Sequence, residues 1–295
     1  MNSQSNPWAL PALLMGAVGI AFAPIFVRLS EIGPSATAFY RLGLALPLLG
    51  LWFGFAAVPT QALLPPVKSN GQRWLLLSAG CFFAADLGVW HWSIHFTSVA
   101  NATLLANFAP IFVVLAGWLL LGETFSWWFL VAIALSLAGA MLLVSASLNL
   151  EPQRLVGDGL GLFTSVFYAG YLLSVSRLRL FLPTVTIAFA SSTISALLLF
   201  FVAGLSGESF LPRTLSGWLV LLGLACISQV IGQSLITFAL VHLPSAFASV
   251  SLLLQPVMAT ILAWWFFDET LSLKQGVGGM IVLAGILLAR LSHRP

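Results

Sequence analysis

Ten stretches of about 20 predominantly apolar residues follow one another with only short breaks, at 8–27, 35–57, 74–95, 98–121, 126–147, 157–176, 182–204, 215–240, 244–267 and 273–291. A helix of that length spans the hydrocarbon core of a bilayer, and in lipid only helices or closed barrels satisfy their own backbone polar groups. The runs lack the polar–apolar alternation of membrane strands, so helices are the expectation. Breaker signals mark the gaps: Gly33-Pro34, Pro65-Pro66, Glu151-Pro152, Leu182-Pro183 and Leu211-Pro212. No gap is long enough for a soluble module.

Composition agrees. The 295 residues are 60% hydrophobic and 6% charged, with a mean hydropathy of +1.06. Soluble domains carry roughly 25% charged residues, so lipid is the solvent for most of this surface. The net charge of +3 comes from 11 Lys and Arg scattered at segment ends, a pattern of headgroup anchoring and not of nucleic-acid binding. With the N-terminus inside, Lys68, Arg73, Arg177, Arg179, Arg290 and Arg294 fall inside and Arg28, Arg154, Arg213 and Lys274 outside, which favours cytoplasmic termini. The first apolar run is expected to be a retained helix and not a cleaved signal. Cys81 and Cys226 lie inside apolar runs as small packing residues, outside any metal-ligand spacing.

The chain repeats itself. A shift of 146 residues lays Thr97–Val144 over Leu243–Arg290 without a gap, with 12 identities in 48 positions. Pro110 meets Pro256, Trp118 meets Trp264, and Glu123-Thr124-x-Ser126 meets Glu269-Thr270-x-Ser272. A unit with five spans enters the membrane inverted in its second copy, the organisation of alternating-access carriers with a midplane site. The expected fold is therefore all-α and integral to the membrane, with ten helices in two inverted five-helix repeats, residues 1–148 and 149–295. The function class this implies is a small-solute transporter.

Ionisable residues inside the spans are few: Arg41 in the second helix and Asp86, His91 and His95 in the third. A charge near the bilayer centre costs at least ~2.5–3.5 kcal/mol, so each is expected to face the bundle interior or a cavity. Helical spacing puts His91 and His95 on one face and Asp86 on the other, with Trp90 and Ser93. Asp86 reads either as a site for a substrate amine or proton, or as a structural partner of Arg41. Arg41 reads either as a carboxylate site or as that partner. His91 is the better placed of the two histidines to line a cavity. Tyr40, Asn107, Tyr168, Tyr171, Gln229, Gln233 and Gln255 supply further polar groups, and Trp90 an aromatic wall. Pro24, Pro110 and Pro256 interrupt helices and free backbone carbonyls. Trp8, Trp74, Trp127, Trp128 and Trp218 fit an interfacial belt. Gly157-x-x-x-Gly161 and Ala134-x-x-x-Ala138 fit close helix packing.

Enzyme motifs are absent. There is no His-Glu-x-x-His, Gly-x-Ser-x-Gly or phosphate-binding loop, and four histidines are too few for a membrane di-iron site. No enzymatic activity, cofactor, metal or obligate protein partner is expected. The expected partners are a small solute and the bilayer. A His-dependent membrane enzyme or sensor using His91 and His95 remains the alternative of a different class, and export of hydrophobic cations the alternative among carriers.

The chain resembles the drug/metabolite transporter superfamily, in its ten-helix branch with two repeated EamA-type domains, and is similar to the aromatic amino acid exporters of that branch. Carrying the resemblance are Ser98-Val99-Ala100-Asn101-Ala102, Pro110 and Gly122-Glu123-Thr124, and in the second copy Ser245-Ala246-Phe247-Ala248, Pro256 and Asp268-Glu269-Thr270. The resemblance implies a bacterial inner-membrane exporter of amino acids or related metabolites. It also implies a central cavity formed by helices one, three, four, six, eight and nine, with Asp86 as the acidic residue of the third helix.

Overall fold

The computed structural model describes residues 6–55, 70–97, 99–145, 155–268 and 271–292. Among these residues the chain is helical throughout, without strands. The first span is α1 (Ala9–Ala21) with α2 (Ala23–Arg28), and the second is α3 (Pro34–Gly43) with α4 (Ala45–Phe55). The third is α5 (Asn70–Phe96), longer at its start than the apolar run beginning at 74. The fourth joins α6 (Val99–Ala106) to α7 (Ala109–Leu121), and α8 (Trp127–Val144) is the fifth. Then follow α9 (Leu155–Leu178) and α10 (Thr184–Leu205). The eighth span runs through α11 (Leu215–Gly223), a π-helical segment (Leu224–Gln233) and α12 (Ser234–Ala239). The ninth joins α13 (Ser245–Ser251) to α14 (Leu254–Phe267), and α15 (Leu273–Ser292) is the tenth. Nine of these described spans are long and apolar enough to cross a membrane, and α8 is apolar but shorter.

Each expected proline break is present. Proline has no N–H for the carbonyl four residues upstream, and Pro24, Pro110 and Pro256 each sit in the first turn after an interruption, at Phe22, Asn107–Phe108 and Leu252–Leu253. A fourth break, at Leu44 before Pro47, has the same cause and went unmarked in the sequence. The two stretches 146 residues apart match locally as well. Gly122 ends α7 in the left-handed region, at φ 67°, and Asp268 ends α14 there, at φ 51°. The aspartate is the only described non-glycine residue with positive φ.

Glycines set the closest helix contacts. A Cβ on Gly139 of α8 would lie 2.7 Å from the Val282 backbone nitrogen and 2.8 Å from the Gly278 carbonyl of α15. One on Gly16 of α1 would lie 2.9 Å from the Gly232 carbonyl in the π-helical segment. Gly157 approaches Thr97 in the same way, so the Gly157/Gly161 pair packs as its spacing predicts. Ala134 and Ala138 do not. Both are exposed on α8, whose contact with α15 runs instead through Gly139 and Ser136. Cys81 is exposed and Cys226 partly so, and neither is a buried packing residue.

Side chains sort the connections onto two faces. On one, Glu31 accepts from the Arg213 and Thr214 amides at the start of α11, and Glu208 accepts from the Ser35 and Ala36 amides at the start of α3. The two connections thus exchange carboxylate caps, each placed where helix N–H groups are unpaired and the dipole is positive. The same face carries the Thr97–Asp158 hydrogen bond at 2.7 Å and Arg28 stacked on Phe267 at 4.2 Å. Asn6, Arg179 and His242 define the opposite face. Helix direction places Arg73, Arg177 and Arg290 on that face too. Trp8, Trp74, Trp127 and Trp128 are exposed near helix ends, whereas Trp218 packs edge-on against Tyr40. Pro65, Pro66, Lys68, Ser98, Glu151, Pro152, Arg154, Glu269, Thr270, His293 and Arg294, singled out in the sequence, lie outside the described residues.

Candidate functional site

A cavity of about 590 Å³, its mouth included, lies between seven of the ten spans. α1 and α2 contribute Ile20, Ala21, Ala23 and Pro24, and α3 contributes Arg41. Phe83, Asp86, Leu87 and Trp90 come from α5, with Thr103, Ala106 and Asn107 from the fourth span. Thr164 and Tyr168 of α9, Gln233 of the π-helical segment and Gln255 and Ala259 of α14 close the ring. Most of these residues, Gln233 excepted, sit in the half of the bundle nearer the Glu31–Asp158 face. The other half is solid core, built from residues such as Leu13, Val113, Leu172, Val175 and Leu240.

The prolines help to shape the wall. Ile20 and Ala106 stand four residues before Pro24 and Pro110, so their carbonyls lose the ordinary helical donor, and both residues line the cavity. The π-helical segment acts similarly in the eighth span. Its wider turn changes the rotation of the helix relative to a regular one, and it carries Gln229 and Gln233, both 3% exposed.

Arg41 is buried and donates from Nε to Gln229 Oε1 at 3.3 Å; Gln229 in turn donates to Ser192 Oγ at 3.2 Å. Asp86, 7% exposed, faces the cavity with no hydrogen bond or ion pair among the described residues. The two charged side chains therefore share a cavity without forming the Arg41–Asp86 pair that a purely structural role for them requires. Thr103 Oγ1 is buried with no hydrogen-bond partner, and Tyr168 Oη and Gln255 Nε2 are buried with no partner beyond each other's side chains. Buried polar groups are nearly always satisfied, so Asp86, Thr103, Tyr168 and Gln255, converging under-satisfied on one cavity beside Arg41, describe a place shaped for a polar ligand. The rest of the wall is apolar and aromatic: Phe83 stacks on Tyr171 at 4.5 Å, and Tyr171 on Tyr168 at 6.3 Å.

Several residues singled out in the sequence are elsewhere. His91 lies outside the cavity: it is 1% exposed, its Nδ1 is 2.7 Å from the Leu87 carbonyl, and its Nε2 is buried without a partner. Its expected place on the cavity wall is not found, because the rotation of α5 that presents Asp86 and Trp90 turns His91 into packing. His95 is exposed beside Trp92 and Phe96, so the two histidines share no site. Among the described residues no group of His, Cys, Asp and Glu could hold a metal ion. Tyr40 belongs to an aromatic cluster with Phe39, Phe210 and Trp218, away from the cavity. Tyr171 and Gln229 stand one layer behind it; Tyr171 accepts from Gln233 at 3.3 Å. Asn107 lines the cavity while donating to the Thr103 carbonyl at 2.6 Å. Pro110 and Pro256 are buried at their breaks and do not line it. Thr103, Thr164 and Phe83 line it without having been singled out, since a lone threonine or phenylalanine in an apolar run carries no sequence signal.

The comparisons with known proteins agree with this architecture. A solved crystal structure aligns over 97% of this chain and 98% of its own with a TM-score of 0.77 at 17% identity, which shows a shared fold. A transporter of Archaeoglobus fulgidus, itself uncharacterized, is 30% identical over 98% of both chains. The pseudopaline exporter CntI of Pseudomonas aeruginosa is 29% identical over 73% of this chain and 75% of its own. The uncharacterized transporter YdfC of Bacillus subtilis is 26% identical over 93% and 88%. The EamA-like transporter family matches residues 7–145 and again 155–291, nearly the whole length. An all-helical multi-pass membrane protein with a polar-lined central cavity, matched twice along its length, belongs to the EamA-like transporter family.

Proposed function

We propose that this transporter is a secondary carrier exporting amino acids or closely related metabolites that bear both an amine and a carboxylate. The observation that carries the reading is the separation of Asp86 from Arg41. An anion and a cation held on one cavity wall without touching are complementary to a zwitterion, whose two charges would satisfy both. Trp90, Asn107, Tyr168, Gln233 and Gln255 would complete the binding site. Gln229 and Tyr171 would hold Arg41 and Tyr168 from behind.

Transport would proceed by rocking two inverted halves, residues 1–148 and 149–295, about this cavity. The breaks at Pro24, Pro110 and Pro256 would serve as hinges. Arg73, Arg177, Arg179 and Arg290 on one face support a cytoplasmic placement of that face, and with it both termini, in a bacterial inner membrane. A relative named as an exporter supports the outward direction. The aromatic wall of Phe83, Trp90 and Tyr168 supports the aromatic amino acid branch, and it equally supports hydrophobic cations, which Asp86 could neutralise.

Uptake of labelled amino acids into proteoliposomes, with and without an imposed pH gradient, tests the reading. Saturable uptake lost in Asp86→Asn supports it, and acceleration by the gradient establishes proton coupling. Folded protein that moves no amino acid but binds cationic dyes in an Asp86-dependent way replaces it with the hydrophobic-cation reading.

A further inference from the structure

A second concavity lies on the outer surface of the bundle, between α1, α4, the start of α10 and the eighth span. It measures about 1010 Å³, its open side included, and is walled by apolar side chains, chiefly Trp8, Met15, Trp52, Ile231, Leu235 and Phe238. Trp8 and Met15 are 71% and 63% exposed, so the groove faces the membrane and not the protein interior. Its walls run along roughly two helical turns, about 10 Å, down from the Asn6 face.

The end of the groove at that face is basic. Thr184, on its wall, opens α10 just after Leu182, whose carbonyl accepts from the Arg179 guanidinium at 2.7 Å. Arg179 Nε is buried without a partner. Phe238, also on the wall, packs its ring 5.3 Å from that of His242, and His242 Nε2 lies 3.4 Å from the Asn6 amide nitrogen. Asn6 in turn accepts from the Trp8 backbone N–H at 3.0 Å. No described carboxylate lies within ion-pair distance of Arg179. Burial holds its guanidinium below the usual range, and burial together with Arg179 lowers His242. Arg179 is therefore a cation short of an anion at the depth where headgroups begin, with the His242 imidazole, which burial and Arg179 keep from protonating, beside it.

We propose that this groove binds a phospholipid with an anionic headgroup, one acyl chain lying along Trp8, Met15, Ile231 and Phe238 and the phosphate meeting Arg179. Charge complementarity selects this occupant over a zwitterionic lipid, whose own cation would meet the same arginine. The site is separate from the central cavity, and its occupancy does not depend on what the carrier moves.

The test is native mass spectrometry of the purified full-length protein with equal amounts of phosphatidylglycerol and phosphatidylcholine carrying the same acyl chains. Attraction of an anionic headgroup to one arginine predicts retention of phosphatidylglycerol in about fivefold preference. Arg179→Gln should bring retention down to the phosphatidylcholine level. Arg290→Gln, on the same face but on α15, should leave it unchanged. Ile231→Trp, which fills the groove without touching the charges, should remove bound lipid as well, and it serves should Arg179→Gln fail to fold. Equal retention of the two lipids overturns the proposal. So does an equal loss in Arg179→Gln and Arg290→Gln, which would mean a general surface attraction. Displacement of the lipid by soluble glycerol phosphate at equal concentration would reduce the site to an anion site without a chain groove, and overturns it too.

Discussion

Arg41 and Asp86 line one cavity without forming an ion pair, and the Arg41 Nε is held by Gln229 at 3.3 Å. Removing one member of a buried pair ordinarily destabilises a protein by about 3–5 kcal/mol. Here the two attract across the cavity with no contact to break. Asp86→Asn is therefore expected to leave the midpoint of thermal unfolding in detergent unchanged or raised, while transport in proteoliposomes falls at least ~10-fold, as loss of a charged hydrogen bond to substrate implies. A large drop in stability with transport retained per folded molecule would show a structural Asp86.

Tyr168→Phe separates ligand binding from folding in the same way. The Tyr168 hydroxyl is buried with no partner beyond the Gln255 side chain, so its removal should change stability by no more than about 1 kcal/mol. If the hydroxyl bonds to substrate, half-saturation for uptake should rise several-fold. Unchanged uptake would take Tyr168 out of the binding site.

Gly139→Ala bears on the α8–α15 seam. The added methyl would meet two backbone atoms of α15 at 2.7 and 2.8 Å, and backbone cannot rotate aside as a side chain can. Overpacking of this kind costs about 1–3 kcal/mol, readable as a lower midpoint in denaturing-detergent titrations. Ala134→Leu, on the exposed face of α8, should have no comparable effect.

Glu31 ties the connection before α3 to the start of α11. Its carboxyl is held below the usual 4.5, chiefly by the Thr214 hydroxyl and then by the Arg213 and Thr214 amides. A depressed carboxyl contributes stability that is fully present above its unfolded value and lost as pH falls through the folded one. The stability difference between the natural protein and Glu31→Gln should therefore be constant at neutral pH and shrink below about pH 4.5. A difference independent of pH between 6 and 3 would mean that the cap acts without its charge.

The spans were legible because a bilayer imposes a length and an apolarity on every crossing, and both are properties of consecutive residues. The breaks at Pro24, Pro110 and Pro256 were legible for a similarly local reason: proline withdraws an N–H wherever it stands. Which way each helix turns was not. In water, an apolar stripe marks the face a helix buries. In lipid, both faces are apolar, and the stripe that would have distinguished Asp86 and Trp90 from His91, or Tyr168 from Tyr171, is missing. Close contacts at Gly157–Thr97, Gly170–Phe82 and Gly80–Ile194 hold α5 and α9 in those rotations, as the π-helical turn at Leu224–Gln233 does for the eighth span. Each contact depends on two segments distant in the chain. The amino-acid order by itself determined a helical membrane protein with charged residues inside its spans; the packing of distant helices, with Gln229 holding Arg41, decided that Asp86 and Arg41 would share a cavity and stay apart.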